Sequence, residues 1–415
     1  MRLPGRPWEP GEGQRAIAVC QIMNTVAHAR PSGNKTMRIG LPQLQVRDGV
    51  ARLTAPVTCD SERHELWYEV PDTCADWFAT DRSDGFVVGL ILHAMHRGED
   101  LVVEGPMSAR LHHNLTHFYI PVVTEGLPDR HRPIRILPNS LTTARTGANH
   151  VATGFSGGVD SFAAVVQHWV QEPSAYDRVT HLLFHNVGSH RHGSVEDDRR
   201  LFRQRFEQVQ PFAREVGLPI VPVDSNLGNL FSLSYVKNHA AVNPSVPLVL
   251  QHQFRRYYYA SCRKYSECWI RPAKGIGSLD PVTMPLLGTE NFDCVSTGCQ
   301  MSRVEKTQLV ATYEPSYRFL NVCVDPTASG RNCSVCQKCG RTLLTLELLG
   351  LARHYAPAFD LEKYRKTRPK LLLRILRHKP ATFEREVAEL YMQRGHGPAA
   401  HLLKLRKWLD KLGDW

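Results

Sequence analysis

The 415-residue chain is 42% hydrophobic and 22% charged, the composition of an ordinary soluble globular protein, and its length suits two or three domains of roughly 150 residues. No apolar run approaches the ~20 residues of a membrane span, and the opening MRLPGRPWEP lacks the apolar core of a secretion signal, so a membrane partner is excluded and a cytoplasmic location is expected. Eleven cysteines, an odd number in so large a chain, argue against a disulfide framework and for metal binding or core use. The net charge of +11 is uneven: residues 351–415 carry 15 Lys or Arg against 7 Asp or Glu, or +8. Such a tail suits either a solvated helical face or an anionic partner.

In chain order, the residues to about Gln14 are rich in Pro and Gly and predict little order. Thr36–Gly40, Gly49–Val57 and His64–Val70 read as strands. DGFVVGLILHAMHRG (Asp84–Gly98) predicts a helix with Asp84 near its cap and Gly98 at its stop. EDLVVEG predicts a further strand and SARLHHNLTHFYI a further helix. Together these define an N-terminal α+β domain over about residues 1–140, with 132–150 as the linker out of it. Strands and helices then alternate: HVATGF, SFAAVVQHWVQ, Val179–Val187, a long helix over Ser194–Gly217, and LPIVPVDS. Near-continuous apolar strands separated by helices predict an α/β domain over 148–350, its parallel sheet covered on both faces. Asp224, Ser225 and Asn226 end the third of these strands at the carboxyl edge, where open α/β sheets bind ligands; a loop cap accounts for them equally well. Residues 351–415 predict a basic helical tail, ending in AAHLLKLRKWLDKL.

The strand HVATGF breaks into Ser156-Gly157-Gly158-Val159-Asp160-Ser161 before a helix. Glycines at such a junction let the backbone approach a ligand, and the first N–H groups of the helix form an anion site. Ser156 and Ser161 can donate hydroxyl hydrogen bonds to phosphate oxygens, while Asp160 can cap the helix or help hold Mg²⁺. The lysine of a Walker loop and the three spaced glycines of a dinucleotide fingerprint are both missing. Cys323, Cys333, Cys336 and Cys339 follow the pattern C-x9-C-x2-C-x2-C. Thiolates two residues apart chelate one ion and a fourth ligand closes a tetrahedron, which favours zinc, although four cysteines also suit an iron–sulfur cluster.

Phe155–Ser161 resembles, without a mismatch, the signature of the PP-loop ATP pyrophosphatases. With the four cysteines some 170 residues later, the chain is similar to the 7-cyano-7-deazaguanine synthase (QueC) family over about Ala148–Gly350. The resemblance implies an adenine-nucleotide α-hydrolase-like fold, ATP held at Phe155, Ser156, Gly157, Gly158, Val159, Asp160 and Ser161, and one structural Zn²⁺ on the four cysteines. It further implies adenylation of a carboxylate, plausibly 7-carboxy-7-deazaguanine, with release of pyrophosphate and formation of an amide or nitrile. A basic residue at a helix start faces the phosphates in such enzymes, a part open to Arg303 or Lys306; a solvated helix face is the alternative. Where the family usually reads Tyr-Gly-Gln-Arg-His, this chain has HNVGSHRHGSVED; Arg191 and His192 can fill the last two positions as substrate residues, and the Tyr and Gln are gone. The added N-terminal domain and tail resemble expanded members found in anti-phage operons of the type IV CBASS and Qat kinds. They are expected to bind a protein or nucleic-acid acceptor, and an oligomer is compatible with all of this. Two other readings stand beside this one: a tRNA thiolase in which Cys294 and Cys299 relay sulfur, and a nucleotide-binding scaffold without turnover.

Overall fold

The computed structural model describes residues 35–59, 62–145, 147–191, 193–231, 233–268, 270, 275–325, 330–377 and 382–395. The Pro- and Gly-rich N-terminus, His192 and the helix expected over 399–412 lie outside the described residues.

Eleven strands form one mixed, mostly parallel sheet: β1 (Thr36–Ile39), β2 (Gln43–Arg47), β3 (Val50–Cys59), β4 (Glu62–Pro71), β5 (Asp100–Ser108), β6 (Ile136–Thr142), β7 (His150–Gly154), β8 (His181–Asn186), β9 (Ile220–Ser225), β10 (Phe254–Ala260) and β11 (Asp293–Thr297). Their spatial order is β11-β10-β7-β8-β9-β4-β3-β1-β5-β6, with β2 paired to β3. The strands from β7 to β11 are parallel to one another. Of the helices, those used below are α1 (Asp84–Arg97), α2 (Val159–Val165), α3 (Val195–Val216), α4 (Tyr235–Val249), α5 (Arg303–Val310), α6 (Gln337–Leu348), α7 (Leu361–Arg377) and α8 (Thr382–Gln393).

Residues 136–142, expected to be part of a linker, form β6 instead, a parallel strand on β5 at the edge of the sheet. Its Pro138 reads as a breaker, but an edge strand has an unpaired side on which a missing N–H costs nothing. α1 is apolar all round and buried from Asp84 to Met95, as a core helix must be. It packs on α4 so closely that a Cβ at Gly85 would stand 2.4 Å from the Val249 side chain.

The two halves of the sheet meet where β4 pairs antiparallel with β9, Tyr68 opposite Ser225 and Glu69 opposite Asp224. Arg199 of α3 bridges this seam, donating from Nη2 to Glu69 and from Nε to Asp224, each at 2.7 Å. Arg52 also pairs with Glu69, and both guanidiniums lie over the Trp67 ring. Ser225 Oγ donates to the Trp67 carbonyl, and Asn226 both accepts from the Trp67 N–H and donates to the Glu65 carbonyl. The Asp224-Ser225-Asn226 run therefore stitches strands together. Its side chains do not line the cavity described below, and they also make the loop cap open to them in the sequence: Ser225 Oγ accepts the Leu227 N–H at 3.1 Å and Asp224 accepts the Ser225 N–H at 3.0 Å.

Because Arg199 carries both carboxylates and a ring contact, Arg199→Ala is expected to cost about 2 kcal/mol in urea unfolding. Arg199→Lys should recover less than half of that loss, since an ammonium lacks the guanidinium fork.

Candidate active site

In the parallel half, β7→β8→β9 builds outward on one side of β7, and the chain then returns to lay β10 and β11 on the other. The reversal places a topological switch point at the carboxyl end of β7, where open α/β sheets bind ligands. A cavity of about 540 Å³ opens there, between the ends of β7, β8 and β10 and the starts of α2 and α6.

The glycine loop forms one wall. Gly157 has φ +75°, a backbone state a side chain would strain, and its carbonyl accepts the Asn321 N–H at 2.8 Å. Gly158 occupies the N-cap of α2, so Asp160 lies inside the first turn and makes no cap hydrogen bond. Ser161 Oγ donates to the Gly158 carbonyl at 3.0 Å and accepts the Ser156 N–H at 3.3 Å, which ties the loop to the helix. Asp160 instead accepts from Arg303 Nη2 at 2.7 Å and from Lys306 Nζ at 3.3 Å. The capping role open to Asp160 in the sequence is thus taken by Gly158, and its carboxylate serves two cations of α5.

Arg303 and Lys306 do not form a solvated face. Their side chains are 17% and 1% exposed, and Lys306 Nζ also donates to the Ser261 carbonyl at 2.5 Å. A capping box between Ser302 and Glu305 fixes the start of α5 and so the direction of both cations.

The four cysteines come together as the spacing predicts. Their sulfurs lie within 4.8 Å of one another, and Cys323–Cys336 and Cys333–Cys339 are each 3.9 Å apart. A tetrahedral zinc with Zn–S bonds of about 2.3 Å sets its sulfurs about 3.8 Å apart, so the set fits that ion. The Cys333 N–H points at the Cys323 sulfur and the Cys336 N–H at the Cys333 sulfur, contacts that stabilise thiolate charge. Cys336 is the N-cap of α6 and Cys339 lies in its first turn.

That same turn supplies what the sequence reading missed. Lys338 sits between the two cysteines and Arg341 follows them, and both line the cavity together with Arg205 of α3 and Arg303. Burial lowers the affinity of Lys338 for its proton and brings Arg341 down to about 10, with Arg303 reinforcing both shifts. Asp160 is the lone carboxylate among the described lining residues, set against these four cations. Basic residues interleaved with the cysteines in CQKCGR were the available signal. Arg205, on the long helix α3, had none.

The opposite wall is neutral. Tyr257 and Tyr259 of β10 face His185 and His239, with His239 Nδ1 2.6 Å from the Tyr259 hydroxyl. Burial raises both phenols well above their usual range and holds His239 and His185 down to about 4. His190 lines this wall and is 5% exposed, whereas Arg191 is exposed and is not among the lining residues. Cys294 and Cys299 are buried on and just after β11 and do not line the cavity. Among the described residues, no helix is long and apolar enough to cross a membrane.

Compared with known proteins, the chain matches no protein-family model, no curated protein and no solved structure. What the fold and site define is therefore a class: an α/β protein with a switch-point cavity, cationic on one wall and neutral on the other, beside four cysteines placed to hold a metal ion.

Two predictions follow from this geometry. Elemental analysis is expected to find about one zinc per chain, and Cys336→Ser should lose it together with the order of α6, read as faster amide exchange over 333–345. The second concerns pH. Burial, with Arg205 adding to it, holds the His190 imidazole at about 3, against 6.5 when unfolded. The unfolded chain therefore binds the extra proton between these values, so this stabilising contribution is full above about pH 6.5 and is lost as pH falls toward 3. A thermal midpoint that drops with acid less steeply in His190→Gln than in the wild type would bear this out.

Proposed function

We propose that the chain is an ATP-dependent ligase of the PP-loop, QueC-like kind, in which the cationic wall takes the nucleotide polyphosphate and the neutral wall takes the acid to be activated. The observation that carries this reading is the coincidence, at one switch point, of the Ser156–Ser161 loop at a helix start with Arg303, Lys338, Arg341 and Arg205. A polyanion is the ligand chemistry that four desolvated cations and one carboxylate favour.

In this mechanism a carboxylate oxygen attacks the α-phosphorus of ATP. The bond from that phosphorus to the bridging oxygen breaks, and pyrophosphate leaves against the loop. Ammonia or another amine then attacks the acyl carbon, AMP departs, and nitrogen loses a proton to give the amide. A second round of activation, in which the amide oxygen attacks the α-phosphorus of another ATP with release of pyrophosphate, would yield a nitrile once AMP and the two amide protons have left. The protein's share is positioning and charge: loop N–H groups and Arg303 stabilise the departing pyrophosphate, and Asp160 fixes Arg303 and Lys306. Mg²⁺ bound with the nucleotide would offset further charge, and a Cys₄ zinc would hold the start of α6. Neutral Tyr257, Tyr259 and His239 offer hydrogen bonds to a flat polar acid without opposing its negative charge. The segments outside the family-like region leave room for a macromolecular acceptor and a role in anti-phage defence.

The test is pyrophosphate release from ATP with 7-carboxy-7-deazaguanine and a panel of aromatic acids, with and without ammonia. Asp160→Asn is expected to lower turnover by about 10²-fold, the usual scale for disturbing preorganised charge. Turnover unchanged in that variant, or a wild type that neither binds ATP nor releases pyrophosphate with any acid, contradicts the reading.

A further inference from the structure

α8 brings one aromatic ring to the cation wall. The Phe383 ring lies 4.6 Å from the Arg303 guanidinium, 4.9 Å from that of Arg341 and 5.2 Å from that of Arg263. Arg303 and Arg341 line the cavity; Arg263 follows Cys262, which does too. The same helix places buried Glu386 so that its carboxylate accepts the Arg303 backbone N–H at 2.8 Å. Glu384, also buried, accepts from the Gln337 side chain at 2.6 Å, at the first residue of α6. α8 thus grips the starts of two of the three helices that deliver cations to the cavity, α5 and α6.

Three guanidiniums around one point repel each other, and an aliphatic side chain there would offer them nothing but bulk. The face of an aromatic ring carries partial negative charge and attracts each of them. With the ring in place, the cations are held together before any polyanion arrives. Less ordering is then left to be lost on binding.

We propose that Phe383 is a positioning residue that holds Arg303 and Arg341 in their ligand-facing arrangement, which makes α8 a working part of the polyanion site. The proposal rests on the reading that this cavity takes a polyphosphate.

The experiment is calorimetric titration of the full-length chain with inorganic pyrophosphate and with ATP, for the wild type, Phe383→Leu, Phe383→Met and Phe383→Tyr, alongside their thermal midpoints. The expected result is roughly tenfold weaker binding in the Leu and Met variants and wild-type binding within about twofold in Tyr, which keeps the ring face. A purely structural role predicts instead that binding tracks the thermal midpoint whatever the ring. Wild-type affinity in a folded Leu or Met variant overturns the proposal and leaves the polyphosphate reading intact, as does a Tyr variant as weak as Leu. If the Leu variant fails to fold, the Met variant decides. A wild type that binds neither pyrophosphate nor ATP removes the polyphosphate reading and this proposal with it.

Discussion

Asp160 sits between two cations of another helix, and the rest of the site depends on that contact. Lys306 is almost wholly removed from water, where an ammonium without a counter-charge is untenable. The carboxylate at 3.3 Å and the Ser261 carbonyl at 2.5 Å make its position possible, and Arg303 uses the other carboxylate oxygen. Through these bonds the glycine loop and α5 become one unit, although 143 residues separate Asp160 from Arg303. Asp160 is the one carboxylate in the described lining facing Arg205, Arg303, Lys338 and Arg341, with the buried carboxylates of Glu384 and Glu386 behind Arg341. A polyanion is the ligand that the proposed function assigns to this wall.

The cysteine cluster belongs to the same construction. Asn321 donates its N–H to Gly157, and its side chain donates to the carbonyl of Gly330, so the loop bearing Cys323 is tied to the glycine loop. α6 then starts at Cys336 and carries Lys338 and Arg341 to the cavity on its first turn and a half. A metal there would fix the cations by fixing the turn between them.

How much of this was legible in the sequence depended on how local the cause was. Gly157 announces a backbone state that other residues resist, and four cysteines at fixed intervals announce a chelate. Both could be read from a few adjacent letters. Arg303 and Lys306 could not be decided, because a solvated face and a buried one look alike until Asp160 arrives from another helix; of the two, Arg303 lines the cavity and Lys306 lies buried behind it. β10 escaped notice because FRRYYYA carries two arginines; Arg256 pairs with Asp177 and Arg255 lies on Tyr176, partners remote in the chain. Phe383 is one apolar residue within the basic helical tail, and nothing nearby in the chain foretold its three arginines.

The seam between β4 and β9 bears on how the chain can be divided. β9 is a strand of the parallel half that carries the cavity, and its outer edge is satisfied by backbone from β4. A shortened chain beginning near β7 would present that edge to solvent, with Asp224 and Trp67's stitching partners Ser225 and Asn226 stripped of what they hold. Exposed strand edges recruit other strands, so the liability of such a fragment is self-association. The N-terminal half is thus a continuation of the sheet that carries the cavity, and whatever displaces it would be felt one strand away from the cavity wall at β8.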